Sequence, residues 1–440
     1  MVDASTQETP PTTPPILTRN RDVPGMERLD VALSRGAYRG LEKALREYEP
    51  AQVTEIVSNA TLLGRGGAGF PAGRKWSFIP KGPGQKYLTV NADESEPGTF
   101  SNRELMETDP HLLLEGVALC CYAIGASLAI IYIRGEYIYA ADQLDRAITE
   151  ARARNYLGPN ILGTDYSLEV FVFRGAGAYI CGEETALLES VEGNRPMPRS
   201  RPPFPAVAGL YGKPTVINNV ETIANVPNIV YYGADWYKSF GTPTSPGTKV
   251  YSLSGHVRRP GNYELPLGVT LRELIYEHGG GVPGDRAVKA VLPSGAAAPW
   301  IPGDKLDTPL DYDAPKQLGT ILGSASVIVM DESVSIPHAT LRLIEFFNHE
   351  SCGKCTPCRE GTMWLVQTMR RVCAGGGVPE DLDLLKDVCG NIAGRVLCAL
   401  GDFAVSPILS SLQYFRHEYE ALIPGLRAQE RELAPAAAAK

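Results

Sequence analysis

Between residues 87 and 173, short β-branched runs alternate with stretches of helical length: YLTV at 87–90, a helix-like 110–125, a strand-like 127–133, a helix-like 137–155 and SLEVFVF at 167–173. Few architectures accept that alternation. Each helix must bury one face, and right-handed crossovers lay successive strands parallel, so the pattern predicts an α/β domain built on a parallel sheet. Ligands of such sheets sit beyond the carboxyl ends of the strands. Two loops occupy such ends, NADESEPGTF after the first strand and RGAGAYICGEE after the third. One stretch tests this reading, because residues 116–133 carry no charge and reach the length of a membrane span. Gly116, Gly125 and Ser127 interrupt it, and a helical half followed by a β-branched half reads as a buried helix running into a buried strand. No direct membrane span is expected; any membrane contact is expected through partners.

At about 150 residues per domain, 440 residues predict roughly three. Residues 1–25 read as a Pro/Thr-rich flexible tail, and 26–245 hold the α/β domain with a helical segment at 28–60. The pattern changes near Pro246. TKVYSLSGHVRRPGNYELPLG reads as a hairpin, TLRELIYEHGGG as one short helix, and AVKAVLP and SVIVMDE as further strands. Residues 246–334 thus fit a small α+β domain of the β-grasp kind. Residues 335–425 read as helices near 336–349, 359–374, 380–392 and 403–421, and 426–440 as a second flexible tail.

The net charge of −8 disfavours nucleic acid as the main partner, since phosphate binding needs excess basic charge. The opening MVDASTQETPPTTPPILTRN has neither a basic start with an apolar run nor an amphipathic arginine pattern, so a reducing, cytoplasmic setting is expected.

Three of the nine cysteines fall within seven residues, as Cys352-Gly-Lys-Cys355-Thr-Pro-Cys358. Two-residue gaps let three thiolates wrap one corner of a compact centre, and a [4Fe–4S] cube needs a fourth from elsewhere. Cys398, in GRVLCALGD beyond the next helix, is the best candidate, with Cys373 and Cys389 as rivals inside amphipathic helices. Lys354, Arg359 and Arg395 lie close enough in sequence to balance negative charge. Zinc and free thiols are the alternatives, but zinc sites usually pair cysteines across a longer loop. Cys120, Cys121 and Cys181 read as buried structural thiols.

GRGGAGF matches G-x-G-x-x-G through Gly64, Gly66 and Gly69, but a helix precedes it where a dinucleotide fingerprint needs a strand. The neutral reading is a tight turn. Five glycines within 64–73 favour a loop that brings backbone N–H groups close to a flat or phosphorylated ligand, with Arg65, Arg74 and Lys75 supplying charge. The second loop, with Gly175, Gly177 and Gly182, does lie between a strand and a helix. Glu183 and Glu184 there are either first-turn acids or acceptors for a ligand's amide and hydroxyls. Asn218 and Asn219 are either helix caps or ligands of a phosphate or ribityl chain. Asp93, Glu94 and Glu96 are either a solvated acidic turn or acceptors for a nucleotide's hydroxyls. Phe70, Phe78 and Phe204 sit in loops beside glycines and prolines, where a base could stack.

Together GRGGAGFPAGRKWSF, NADESEPGTF, GAGAYICGEETAL, PPFPAVAGLYGKPTVINNVET and ESCGKCTPCREGT closely resemble the NADH- and FMN-binding flavoprotein subunits of respiratory complex I, the family of NADH-quinone oxidoreductase F subunits. The resemblance spans most of the chain. It implies an FMN domain, a ubiquitin-like soluble-ligand-binding β-grasp domain and a C-terminal helical bundle with one [4Fe–4S] cluster. Carried over, Gly64, Gly66, Gly67, Lys75, Asn91, Asp93, Tyr179, Gly182, Glu183, Glu184, Asn218, Asn219 and Thr222 surround FMN or the nicotinamide end. Phe70, Phe78 and Phe204 stack near the adenine, Glu96 lies in the NADH pocket, and Cys352, Cys355, Cys358 and Cys398 hold the cluster.

The implied activity is NADH oxidation by hydride transfer to FMN, then single-electron transfer to the cluster, with no side-chain acid or base required. Glu183 and Glu184 orient NADH. The implied partners are a thioredoxin-like [2Fe–2S] subunit and an iron–sulfur-rich large subunit, quinone being reached only through other subunits, on the inner face of the plasma membrane. Diaphorase subunits of NAD-linked hydrogenases and formate dehydrogenases share the core but often carry extra cluster domains. A zinc-stapled binding or assembly protein is the non-enzymatic alternative. Two segments depart from the family pattern. Ser101-Asn102-Arg103 stands for Lys-Asp-Arg, which bears on charge near the nucleotide, and 293–298 replaces a Gly-Gly-Ser-Ser turn, which is expected to bear on surface contacts with partner subunits.

Overall fold

The computed structural model describes residues 10–426. Three short helices, α1 (Leu29–Ser34), α2 (Arg39–Glu47) and α3 (Pro50–Asn59), lead into the alternating region. The chain continues through α4 (Ala72–Ser77), β1 (Tyr87–Ala92), α5 (Ser101–Thr108), α6 (Pro110–Ile124), β2 (Leu128–Ile133), α7 (Ile138–Ala153), β3 (Glu169–Arg174), α8 (Glu184–Val191), α9 (Pro205–Ala208), β4 (Thr215–Asn219), α10 (Val220–Tyr232) and α11 (Ala234–Lys238). The strands form the expected parallel sheet, in the order β3-β2-β1-β4. Its register pairs Asn91 with Asn219, so β1 and β4 deliver their last residues to the same edge.

The uncharged run is α6 followed by β2. Asp109 accepts the Leu112 amide at 3.1 Å, Pro110 opens the first turn, and Gly125 ends the helix at φ 70°. A Cβ on Gly116 would lie 2.3 Å from the Ile223 carbonyl oxygen, so α6 and α10 pack with their backbones almost in contact. A helix covered on all sides needs no polar face. Among the described residues no helix is long and apolar enough to cross a membrane.

A second, mixed sheet is built from β5 (Thr248–Gly255), β6 (Gly261–Pro266), β7 (Val288–Ala296), β8 (Ile301–Pro302) and, after α12 (Ala314–Gln317), β9 (Ser326–Asp331). Its order is β6-β5-β9-β7-β8; β5 and β6 make the expected hairpin, and β5 runs parallel to β9. The expected short helix is a π-type turn at Glu273–His278 that buries Leu274 and Ile275.

The last region holds α13 (Ile336–Glu350), α14 (Thr356–Cys373), α15 (Glu380–Ile392), α16 (Ala399–Tyr414) and α17 (Arg416–Glu420). The helix expected at 403–421 starts earlier and splits, because Phe415 leaves helical geometry and packs with Trp300 and Ile336.

The expected N-terminal tail is only partly within the described residues, 1–9 lying outside, and in its remainder Ile16, Leu17 and Thr18 are packed. The amides of Ile16, Leu17 and Thr18 donate to the Glu264 carboxylate of β6 at 2.8–3.0 Å, with all three residues buried. A buried carboxylate needs several donors, and a backbone turn supplies them. The tail expected at 426–440 lies outside the described residues beyond Leu426.

Candidate functional site

The edge where β1 and β4 end is closed by the glycine-rich loop, the turn after β3, the end of β7 and the start of α16. Together they enclose a cavity of about 470 Å³, within the usual range for cofactor sites. Gly66 packs against Asn219, where a Cβ would come within 2.9 Å of the asparagine's own Cβ, and Gly67 has φ 131° and open space beside it. Backbone rather than side chains therefore faces the cavity on this side.

The acidic loop divides its labour. Asp93 borders the cavity; it accepts from Ser95 through Oδ1, while its Oδ2 is buried without a partner, and burial pushes this carboxyl up to about 7. Glu96 is pushed up to about 7 by burial as well, and it accepts from Tyr179 Oη at 2.7 Å and the Ala297 amide at 2.9 Å. Glu94 is not free for a ligand. Its oxygens take the amides of Asn102 and Arg103 at 2.7 and 2.9 Å and the Tyr137 hydroxyl at 3.2 Å. It caps the start of α5 instead, although it borders the cavity. Asn91 ties β1 to the turn after β3 through the Gly182 carbonyl at 2.9 Å.

Arg65 borders the cavity, but its side chain turns away. The guanidinium, 1% exposed, donates to the carbonyls of Leu63, Pro246 and Thr248 and to Tyr237 Oη. The expectation that it lends charge to a ligand is corrected: four of its five N–H donors are used in stapling the first region to β5. Thr222, also expected at the ligand, is buried and accepts the Arg65 amide at 2.8 Å. Lys75 reaches Glu184 at 3.0 Å and the Ile217 carbonyl at 2.9 Å. Glu183 caps α8 through the amides of Thr185 and Ala186, and Arg201 bridges Glu183 and Glu184. Asn219 caps α10, and Asn218 accepts from the Trp76 indole at 2.8 Å. Glu183 and Asn219 are thus the helix caps, whereas Glu184 is held in ion pairs and Asn218, inside β4, caps no helix.

Of the expected residues, Gly66, Gly67, Asn91, Asp93, Glu96, Tyr179, Gly182, Glu183 and Asn219 meet on this cavity. Gly64, Lys75, Glu184, Asn218 and Thr222 are not among the residues that line it. Phe70, Phe78 and Phe204 lie outside it and are solvent-exposed, with the Phe70 and Phe78 rings 6.2 Å apart and Arg74 over Phe70.

Sequence reasoning missed the far wall: Thr99, Ser294, Ala297, Tyr312 and Ser324 also border the cavity. The segment 293–298 is a buried wall, not a surface for partners, and a Cβ on Gly295 would meet the Pro97 carbonyl at 2.2 Å. Close contact of backbones demanded small residues there, and the run Gly295-Ala296-Ala297-Ala298 was the available signal. Ser101 and Asn102 are buried beside Glu94, with Asn102 accepting the Glu221 amide at 3.2 Å. Asn102, neutral where the family pattern has an aspartate, places no second carboxylate beside the buried Glu94.

Cys352, Cys355, Cys358 and Cys398 border a second, smaller cavity. Cys373 and Cys389 do not, lying in α14 and α15. Burial pushes Cys398 up to about 12 and raises Cys358 too, so a bound metal is what would make them thiolates. Four thiols spread around a cavity suit the corners of a cube. Lys354 borders the same cavity and donates to the Pro198 carbonyl, whereas Arg359 and Arg395 reach Gly353 and Asn391.

Residues 57–228 match the Nuo51 FMN-binding domain, 250–294 the SLBB domain, and 338–422 the NADH-ubiquinone oxidoreductase-F iron-sulfur binding region. The second NADH-quinone oxidoreductase F subunit of Rhizobium meliloti is 54% identical over 93% of this chain and 97% of its own. The chain belongs to the family of NADH-quinone oxidoreductase F subunits. Another F subunit, from Streptomyces coelicolor, is 52% identical over 93% of this chain and 91% of its own. The fold matches a crystal structure of NAD+-reducing [NiFe]-hydrogenase in the H2-reduced state with TM-score 0.81 and 36% identity, covering 90% of this chain and 67% of that one. As a member of this family, the chain places its four clustered thiols within the iron–sulfur region and the glycine-rich loop, Asp93 and Asn219 within the FMN-binding domain.

Proposed function

We propose that this chain oxidises NADH by hydride transfer to FMN and passes the electrons singly to a [4Fe–4S] cluster, as the electron-input subunit of respiratory complex I. One observation carries the reading: a cavity bordered by the glycine-rich loop and by Asp93, whose Oδ2 is buried without a partner, shares a wall with the cavity of four thiols. When bound, FMN supplies a hydride acceptor that returns electrons singly, and the cluster takes them one at a time. The residues fit both groups. Gly66 and Gly67 offer backbone to a phosphorylated ligand, Asp93 Oδ2 awaits a donor, and Asn91 and Asn219 flank it. Glu96, Tyr179, Glu183 and Glu184 orient the dinucleotide. Phe70, Phe78 and Phe204 present faces for the adenine, and their exposure suits a substrate that comes and goes. Cys352, Cys355, Cys358 and Cys398 are the cluster ligands. No acid or base is assigned, because the hydride moves between the two bound rings.

The mixed sheet is read as a β-grasp domain, over 246–334, and 335–425, its fourth expected helix split in two, as a helical cluster domain after the α/β domain at 26–245. The partners proposed are a thioredoxin-like [2Fe–2S] subunit and an iron–sulfur-rich large subunit, on the inner face of the plasma membrane. The hydrogenase likeness is weaker in identity than the likeness to the quinone-reductase F subunits, so complex I is preferred.

Anaerobic purification with flavin and iron quantitation tests the reading. The expected protein is yellow-brown, bleaches with NADH, and loses its cluster EPR signal in Cys398→Ser. A protein colourless after reconstitution would end this account, and co-purification with a nickel–iron subunit would move it to the hydrogenase class.

A further inference from the structure

Ile180, Cys398 and Leu400 border both cavities. Ile180 and Leu400 are 5% and 4% exposed. They come from different regions: Ile180 from the turn Tyr179–Gly182 after β3, Leu400 from the first turn of α16. Both join the same apolar cluster as Cys358. The turn is held there by its neighbour, since the Tyr179 amide donates to Glu350 at 3.0 Å and its ring meets Phe346 and Phe347 edge-on. Apart from Cys398 itself, the wall between the two cavities is therefore apolar, built of residues that border both, and anchored from both sides.

We infer that Ile180 and Leu400 are the water-excluding partition between the hydride acceptor and the cluster, positioning residues that set the gap an electron crosses. The inference rests on the functional reading of the two cavities. Each crossing takes one electron from the reduced flavin and reduces the cluster by one. Solvent exposure is among the factors that set a cluster's potential. Polar groups line the large cavity, so space opened in this wall has partners for water and would fill. An apolar pair of this size keeps it dry, and the packed atoms leave no gap between the centres.

The test uses the holoenzyme reduced with NADH in D2O. Pulsed EPR reads deuterium coupling to the cluster, and rapid freezing reads the flavin-to-cluster transfer rate. Leu400→Ala and Ile180→Ala are expected to deepen the deuterium modulation several-fold and to slow transfer, and Leu400→Met, which refills the volume, to restore both. Parent-like modulation and transfer in both alanine variants would overturn the inference, as would deep modulation in the parent. Should an alanine variant lose iron, Ile180→Val removes one methyl group from the same wall and is read by the same two outcomes. A parent without flavin or cluster signal would instead sink the functional reading itself.

Discussion

Glu96 lies where three parts of the molecule touch: its own loop after β1, Tyr179 from the turn after β3, and Ala297 at the end of β7. Burial raises its carboxyl to about 7, and the Tyr179 hydrogen bond pulls it back part of the way. Tyr179→Phe leaves the carboxylate with one fewer donor. A hydrogen bond to a charged group contributes about 1.5–3 kcal/mol, so KM for NADH is expected to rise roughly ten- to a hundredfold with kcat little changed. The pH at which KM improves should also move upward, because the protonated form gains ground; a KM profile between about pH 6 and 9 checks both. Asp93 and Glu115, likewise raised to about 7 by burial, extend the argument to stability. A carboxyl whose folded pKa is raised contributes stability that is fully present below its unfolded value and lost as pH rises through the folded value. The flavin-free chain should therefore melt at a lower temperature at about pH 8 than at about pH 6. Adding FMN should narrow that difference if it satisfies Asp93 Oδ2, and thermal melts at both pH values with and without FMN measure it.

At the scale of elements, two glycines make opposite predictions. Gly116 of α6 faces the Ile223 carbonyl so closely that Gly116→Ala must push α10 away. Overpacking of this kind costs about 1–3 kcal/mol or more. Gly390 of α15 has nothing within 4 Å of where a Cβ would stand, so Gly390→Ala should stabilise by about 0.8 kcal/mol or somewhat less through helix propensity. Urea denaturation of the two variants should show shifts of opposite sign. Strands and most helices were legible in the sequence because their signals are local: β-branched runs, helical stretches between them, and Gly125 at a helix end. The split of the last helix was not, because Phe415 leaves helical geometry for a core contact with Trp300, far away in the chain.

At the scale of the molecule, the packed N-terminal segment joins separate regions. Pro11 accepts from the Trp236 indole at 2.8 Å, and Ile16 to Thr18 hold Glu264 of the second sheet. Because the large cavity draws walls from both sheets, this strap should matter to flavin retention. Glu264→Ala leaves several buried donors unsatisfied, at about 1–3 kcal/mol each. The expected result is weaker FMN binding and faster proteolysis near residues 10–25, read by flavin fluorescence and limited digestion; unchanged flavin affinity would confine the strap to a local role.

Residue order alone carried the parallel sheet, the clustered thiols and the loops at the strand ends, since each depends on neighbours a few positions away, and it carried the candidacy of Cys398 through the one helix that lets the chain fold back. Tertiary structure decided where the charged and small groups point. Arg65 and Glu94 carry the charge a ligand site needs, yet each turns to backbone groups brought from other segments, because a buried ion takes whatever donors or acceptors the seam supplies. The 293–298 segment became a wall rather than a surface for the same reason: burial belongs to what lies opposite, and the opposite side is Glu96 and Pro97.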